Sequence, residues 1–195
     1  MAFRRSYADR FSMHRSRASR LRVLVAALAV VGIAGTGVAA GPAQATARSE
    51  TSLRVLNHQL LAAVNAFRVA HQLAPLRESR ALDRSARQHS LEMGRVGYFA
   101  HSSADGSAFW RRIKHYYGSK NRRLWSVGEN LLWAAPSVGA EQALAMWIAS
   151  PEHLRNLLTP RWREIGISAV HVSSAPGVFQ GQSVTIVTND FGVRK

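Results

Sequence analysis

His101, Glu129 and His153 are the residues whose types and settings could do chemistry. Each sits in a short phrase that could hold it: Tyr98-Phe99-Ala100-His101-Ser102, Val127-Gly128-Glu129-Asn130 and Ser150-Pro151-Glu152-His153. Two imidazoles and a carboxylate drawn from separate elements can hold a divalent ion or move a proton. No other set in the chain offers comparable chemistry. The 195 residues include no cysteine, which excludes thiolate metal sites, cysteine nucleophiles and the disulfides on which small exported domains often depend. No H-E-x-x-H, G-x-S-x-G, P-loop or dinucleotide fingerprint occurs.

The three residues rest on different local arguments. Ser150 suits an N-cap, Pro151 the first helical position and Glu152 the positive helix end, so His153 falls in the first turn. The helix dipole there disfavours protonation, and a neutral imidazole is what a metal requires. The alternative is a histidine that only hydrogen-bonds near the helix start. Glu129 lies in an extended stretch, on one face with Val127, Leu131 and Trp133. A carboxylate among apolar groups is costly unless paired or bound. The alternative is a structural glutamate bonded to loop amides. His101 gains its meaning from His153: alone it is ambiguous, and paired it completes a site. A serine triad of Ser102, His101 and Glu129 is rejected, because adjacent residues of an extended stretch point to opposite faces. His89 and His171 fall on apolar faces and read as satisfied core histidines. His58, His71 and His115 read as surface residues. The cations from Arg111 to Arg123 read as a solvated stretch able to draw an anionic partner.

The front of the chain differs from the rest. Residues 1–22 carry seven arginines against one acid, Asp9, and an apolar run follows from Leu21 to Ala40. Ala43-Gln44-Ala45 then fits a small-x-small cleavage site, with Ala45-Thr46-Ala47 as a second option. This order predicts a secretory signal peptide over 1–45, a linker over 46–52 and one domain over 53–195. The expected location is extracellular; the alternative is a membrane anchor formed by residues 21–40. Of the formal charge of +15, the leader holds +6 and the remainder +9. A basic exported domain meets lipid headgroups, wall polymers or other anionic envelope components. Nucleic acid is not the expected partner, because no nucleic-acid-binding motif is present.

The elements that must position the site can be read from periodicity. Leu53, Leu56, Leu60, Val64 and Phe67 recur at helical spacing behind Thr51 or Ser52 as a cap. Ser79 opens a second helix with Leu82, Ala86, His89 and Met93 on one face. Ser107 opens a short third helix through Tyr117, and Pro136-Ser137 opens a fourth that presents Leu144, Trp147 and Ile148. Val127–Trp133 is extended, residues 165–172 alternate as a strand, and 184–188 form another after the turn at 173–177. Helices first and an antiparallel hairpin last predict an α+β fold with helices on the sheet.

In this order the phrases resemble the CAP superfamily, also called SCP/TAPS, which includes cysteine-rich secretory proteins, venom antigen 5 and plant pathogenesis-related 1 proteins. The likeness is greatest to its bacterial extracellular branch. The segments that carry it are Ala63-Val64-Asn65-Ala66-Phe67-Arg68 with Leu73-Ala74-Pro75-Leu76, residues 86–93 running into Phe99-Ala100-His101-Ser102, Gly128-Glu129-Asn130, and residues 147–158 followed by Glu164-Ile165-Gly166-Ile167 and Asp190-Phe191-Gly192. They span nearly all of 53–192. The resemblance implies an α-β-α sandwich with a small antiparallel sheet between helical layers. It also implies an open groove centred on His101, Glu129 and His153, able to take zinc or another divalent ion. Animal and plant relatives add a second acid three residues after the tryptophan; here that position, counted from Trp147, is Ser150. The expected function is an exported binding module at the cell envelope or outside the cell. The alternatives are a metal-dependent hydrolase of a peptide, nucleic acid or ester, with Glu129 as the catalytic group that orients or deprotonates water, and a cationic envelope-adhesion protein. No organic cofactor is expected.

Overall fold

A computed structural model describes residues 42–195. The elements are α1 (Pro42–Ala70), β1 (Arg77–Glu78), α2 (Arg80–Val96), α3 (Phe109–Tyr116), β2 (Trp125–Ala134), α4 (Ala140–Ala149), α5 (Pro151–Leu157), β3 (Glu164–Val172) and β4 (Val184–Arg194). The expected signal peptide lies almost wholly outside the described residues, as does the alternative anchor at 21–40. The linker expected over 46–52 is helical, because α1 begins at Pro42. No glycine or proline interrupts residues 43–70, and Glu50 pairs with Arg54 one turn on, at 3.8 Å. Among the described residues no helix is long and apolar enough to cross a membrane.

The strands form one sheet in the order β1-β3-β4-β2. Its three long strands are antiparallel, as expected, and the two-residue β1 adds a parallel edge that the sequence reading did not include. Both faces of β3 and β4 are buried almost throughout, so the sheet lies between two helical layers. On one side β3, β4 and β2 send Ile165, Ile167, Val187, Phe191 and Leu132 into a core with Leu60 and Val64 of α1 and Trp147 of α4. On the other, Leu131 and Ile186 meet Met93 of α2, while Leu82 of α2 packs with Ile113 and Tyr117 at α3. The α+β fold predicted from periodicity, and the α-β-α layering that the resemblance implies, are both observed. The described residues fall in one compact unit, and all three apolar clusters close within residues 53–193.

Beyond β1 the outer edge of β3 is closed by side chains rather than by another strand. Asp83 Oδ1 accepts the Ile167 amide at 3.0 Å, and Asn57 Oδ1 accepts the Ala169 amide at 2.9 Å. These bonds satisfy edge donors that would otherwise invite strand pairing. A cleft of about 680 Å³ runs along this edge, with Asn57, His58, Asp83, Arg84 and His171 in its walls. None of His101, Glu129 and His153 lines it. His171 is exposed here, which corrects its reading as a core histidine. Its strand ends beside Ser183, whose hydroxyl lies 3.1 Å from the ring.

Burial pushes the Asp83 carboxyl up to about 6, with Glu78 and Asp190 adding to the rise. A folded-state value above the unfolded one means that stability is fully present below about pH 4 and is lost as pH rises through about 6. Asp83→Asn keeps the acceptor for Ile167 and removes the charge. It should stabilise the domain by about 1 kcal/mol at neutral pH, a figure well below the full shift because the side chain is partly exposed. The urea midpoints of the two proteins should differ at pH 7.5 and converge at pH 4.

Candidate functional site

The site is assembled on the edge strand β2. Glu129 is cross-strand partner to Asp190 of β4 and points with Val127 and Leu131 toward the α2–α3 layer. Its neighbour Asn130 points to the opposite layer, where its amide donates to the His153 carbonyl at 3.1 Å and its oxygen accepts from Asn156 at 2.9 Å. Asn156 also donates to the Glu129 carbonyl at 3.0 Å. Helix α5, which carries His153, is therefore pinned to the backbone of the strand that carries Glu129. Ser150 occupies the N-cap position and Pro151 opens α5, although no side-chain cap bond forms.

Glu129 is sealed in. Its side chain is 1% exposed, and each carboxylate oxygen has a partner. Oε1 bonds His101 Nδ1 at 2.8 Å. Oε2 accepts from Arg112 of α3, whose side chain is 2% exposed. His101, by contrast, keeps 51% of its side chain in solvent, with its ring 6.1 Å from that of Phe109. With Nδ1 on the carboxylate, its Nε2 is the nitrogen left to act outward. A charge on His101 would disfavour protonation of His153. Both are held below the usual imidazole range, His101 by burial and Arg112, His153 by burial and His101. The pair is therefore neutral at pH 7.

Arg112 is the hub beneath this surface. Besides Glu129, its guanidinium approaches His89 Nδ1 at 3.0 Å, the His101 carbonyl at 3.3 Å and Ser103 Oγ at 3.3 Å. His89 is fully buried and donates through Nε2 to the Ala100 carbonyl at 2.9 Å. Burial and Arg112 hold it down at about 3, so it stays neutral and can accept from Arg112. His89 is thus the satisfied core histidine expected, and it also fixes the residue that fixes Glu129.

Two buried carboxyls face one cation. Burial raises Glu129 to about 7 against the opposing pull of Arg112. Burial and the charge of Glu129 raise Asp190 further. No hydrogen bond of full geometry reaches either Asp190 oxygen, although Glu129 and Ser85 lie close enough to interact with it. Arg112 opposes the rise at both, and the repulsion between the two carboxyls disfavours their ionising together.

The structure thus brings Glu129 to His101 and ties the His153 carbonyl to Asn130, the next residue of the same strand. Among the described residues no group of three or more His, Asp or Glu side chains could share an ion. A carboxylate with both oxygens engaged and no solvent access is placed to orient the His101 ring. The sequence reading missed Arg112 and Asp190. Arg112 lies on the inward stripe Phe109, Arg112, Ile113, Tyr116, whose i, i+3, i+4, i+7 spacing was the available signal. Asp190 shares the β4 face of Ile186 and Thr188, beyond the point where the strand was expected to end.

The family model for the cysteine-rich secretory protein family, CAP, matches residues 61–187, and the chain belongs to that family. It is 27% identical over 129 residues to the uncharacterized protein YkwD of Bacillus subtilis (strain 168), covering 66% of this chain and 48% of that protein. The chain thus spans about half the length of this curated relative. An extracellular SCP-domain protein of Bacillus anthracis superposes with a TM-score of 0.59 at 22% identity, over 80% of this chain and 45% of that one. An outer surface protein of Borrelia burgdorferi superposes at 0.54 and 20%, over 70% and 90%. These structural neighbours are described as extracellular or outer surface proteins.

Proposed function

We propose that this chain is an exported binding module that uses His101 and His153 as a pair of neutral imidazole ligands for a divalent transition metal such as zinc. The remaining coordination positions are left to the molecule it binds. The observation that carries this reading is the 2.8 Å bond from His101 Nδ1 to a sealed Glu129. A carboxylate behind a half-exposed imidazole fixes the tautomer and raises the basicity of the outer nitrogen, which is the arrangement found behind metal-ligating histidines. Two ligands without a third protein donor imply weak binding by the ion alone. A bound ion would supply Lewis acidity; Glu129, Arg112 and Asn130 orient the two histidine-bearing segments. The hydrolase reading loses its base, because Glu129 has neither an uncommitted oxygen nor access to water.

Zinc titration of residues 42–195, followed by the imidazole signals in NMR and by calorimetry, tests this directly. His101→Ala and His153→Ala should each weaken zinc binding roughly 100-fold, and Glu129→Gln about 10-fold. Binding untouched by both histidine substitutions, or no zinc response from either ring, would end the proposal.

A further inference from the structure

The outer face of α3 and the loop that follows it form a cationic surface with apolar residues set among the charges. Residues 106–128 contain Arg111, Arg112, Lys114, Lys120, Arg122 and Arg123 and no acid at all. Arg112 turns inward. Arg111, Lys114, Lys120, Arg122 and Arg123 are all exposed, and none forms an ion pair within 4.0 Å among the described residues. Lys195 joins them, because Leu124 and Lys195 exchange backbone hydrogen bonds at 3.2 and 3.0 Å. Elsewhere some of the surface cations are paired: Arg54 meets Glu50, and Arg77 and Arg194 meet Glu164. Of the two flanking acids, Asp105 accepts the Ser107 amide at 2.8 Å and Glu129 is buried against Arg112.

Trp110 and Leu124 lie within this set and are 39% and 42% exposed. Trp110, Arg111, Lys114 and His115 share one exposed side of α3, and the Arg111 guanidinium sits 5.3 Å from the Trp110 ring centroid. A polyanion in solution requires only the charges. A bilayer with anionic headgroups uses both parts, taking the cations at the phosphates and the indole and leucine at the acyl boundary. We infer that this face docks the domain on an anionic phospholipid bilayer. The inner side of the same helix holds Glu129 and, through it, His101, so docking would set the histidine pair beside the membrane surface.

Vesicle co-sedimentation of residues 42–195, a unit whose core closes within itself, tests the inference. Binding is expected to vesicles of phosphatidylglycerol with phosphatidylcholine, to be absent with phosphatidylcholine alone, and to fall steeply with salt. Each cation within a Debye length of the surface contributes about fivefold, so Lys114→Gln, Arg122→Gln and Arg123→Gln together should weaken binding roughly 100-fold. Trp110→Ala should cost about tenfold more, and brominated acyl chains should quench a Trp emission that Trp110→Phe removes. All these positions are exposed, so unchanged urea midpoints are expected. His101→Ala and His153→Ala should leave vesicle binding intact, which separates this face from the zinc site. Equal binding by the triple variant overturns the inference. So does binding that soluble polyphosphate abolishes while no quenching occurs, which identifies a polyelectrolyte face.

Discussion

Arg112→Ala is expected to destabilise the domain by about 3–5 kcal/mol, a large part of what holds a domain of this size together. The guanidinium is nearly inaccessible and joins four groups: Glu129, His89, the His101 carbonyl and Ser103. Truncation leaves Glu129 with only a neutral imidazole for a partner, next to a second buried carboxyl, Asp190. Lysine does not repair the loss, since one ammonium cannot span the fork of contacts that Arg112 makes. The loss should depend on pH, in a direction that can be worked out. Glu129 and Asp190 are both raised above their unfolded values, so their favourable contribution exists at low pH and is lost as pH rises through the folded-state values. Without Arg112 those values move higher still. The variant should therefore lose least near pH 5 and most above about 7. Replacing both partners, Arg112→Met with Glu129→Leu, should recover much of the stability. Urea unfolding of the wild type, Arg112→Ala and the double variant at pH 5 and 8 gives the measurement. A single-variant loss below about 1 kcal/mol at pH 8 would show that the network is not what orders this region.

Much of this was legible in the sequence, and the exceptions have physical reasons. The elements carrying strong 3.6- or 2-residue periodicity, such as α2 and β3, fall where the pattern puts them. The pairing of Glu129 with His101 followed from the cost of a lone carboxylate among Val127, Leu131 and Trp133. What composition hid was the second partner. Arg112 sits in a run of cations whose other members are solvated, so local charge density pointed outward while helical phase pointed inward. Asp190 was lost because β4 runs on to Arg194, kept in register by ten pairs with β2 rather than by its own alternation. Strand β1 is two residues long and owes its existence to Glu164 and Ile165, far along the chain. His171 shows the reverse error: it shares a strand face with Ile165, Ile167 and Ala169, yet it stands near the end of β3 on the wall of the open cleft and the ring is exposed.

Gly166→Ala should be among the most damaging single-methyl changes in the domain, costing about 4 kcal/mol or more and leaving little folded protein. Gly166 stands opposite Asp190 in the sheet, on the face that meets α2. A Cβ there would lie 2.2 Å from the Leu82 carbonyl carbon, 2.3 Å from the Asp83 nitrogen and 2.5 Å from Leu82 Cβ. The first two contacts are backbone, so no rotamer change relieves them, and α2 would have to lift off the sheet. That displacement strains the Asp83 bond to Ile167 and the Ser90 bonds to Ser168 and Thr188. It also moves His89, and with it the support of Arg112. Overpacking ordinarily costs about 1–3 kcal/mol, because side chains give way; here a main chain would have to. Gly139→Ala supplies the contrast, since nothing lies within 4 Å of its added methyl and its φ of −87° suits any residue. Circular dichroism and urea unfolding of the two variants should show Gly139→Ala near wild type and Gly166→Ala without a cooperative transition. A Gly166→Ala protein that melts within a few degrees of wild type would mean that α2 does not rest on β3 as closely as described. The placement of His89 and Arg112 under the histidine pair would then have to be redrawn.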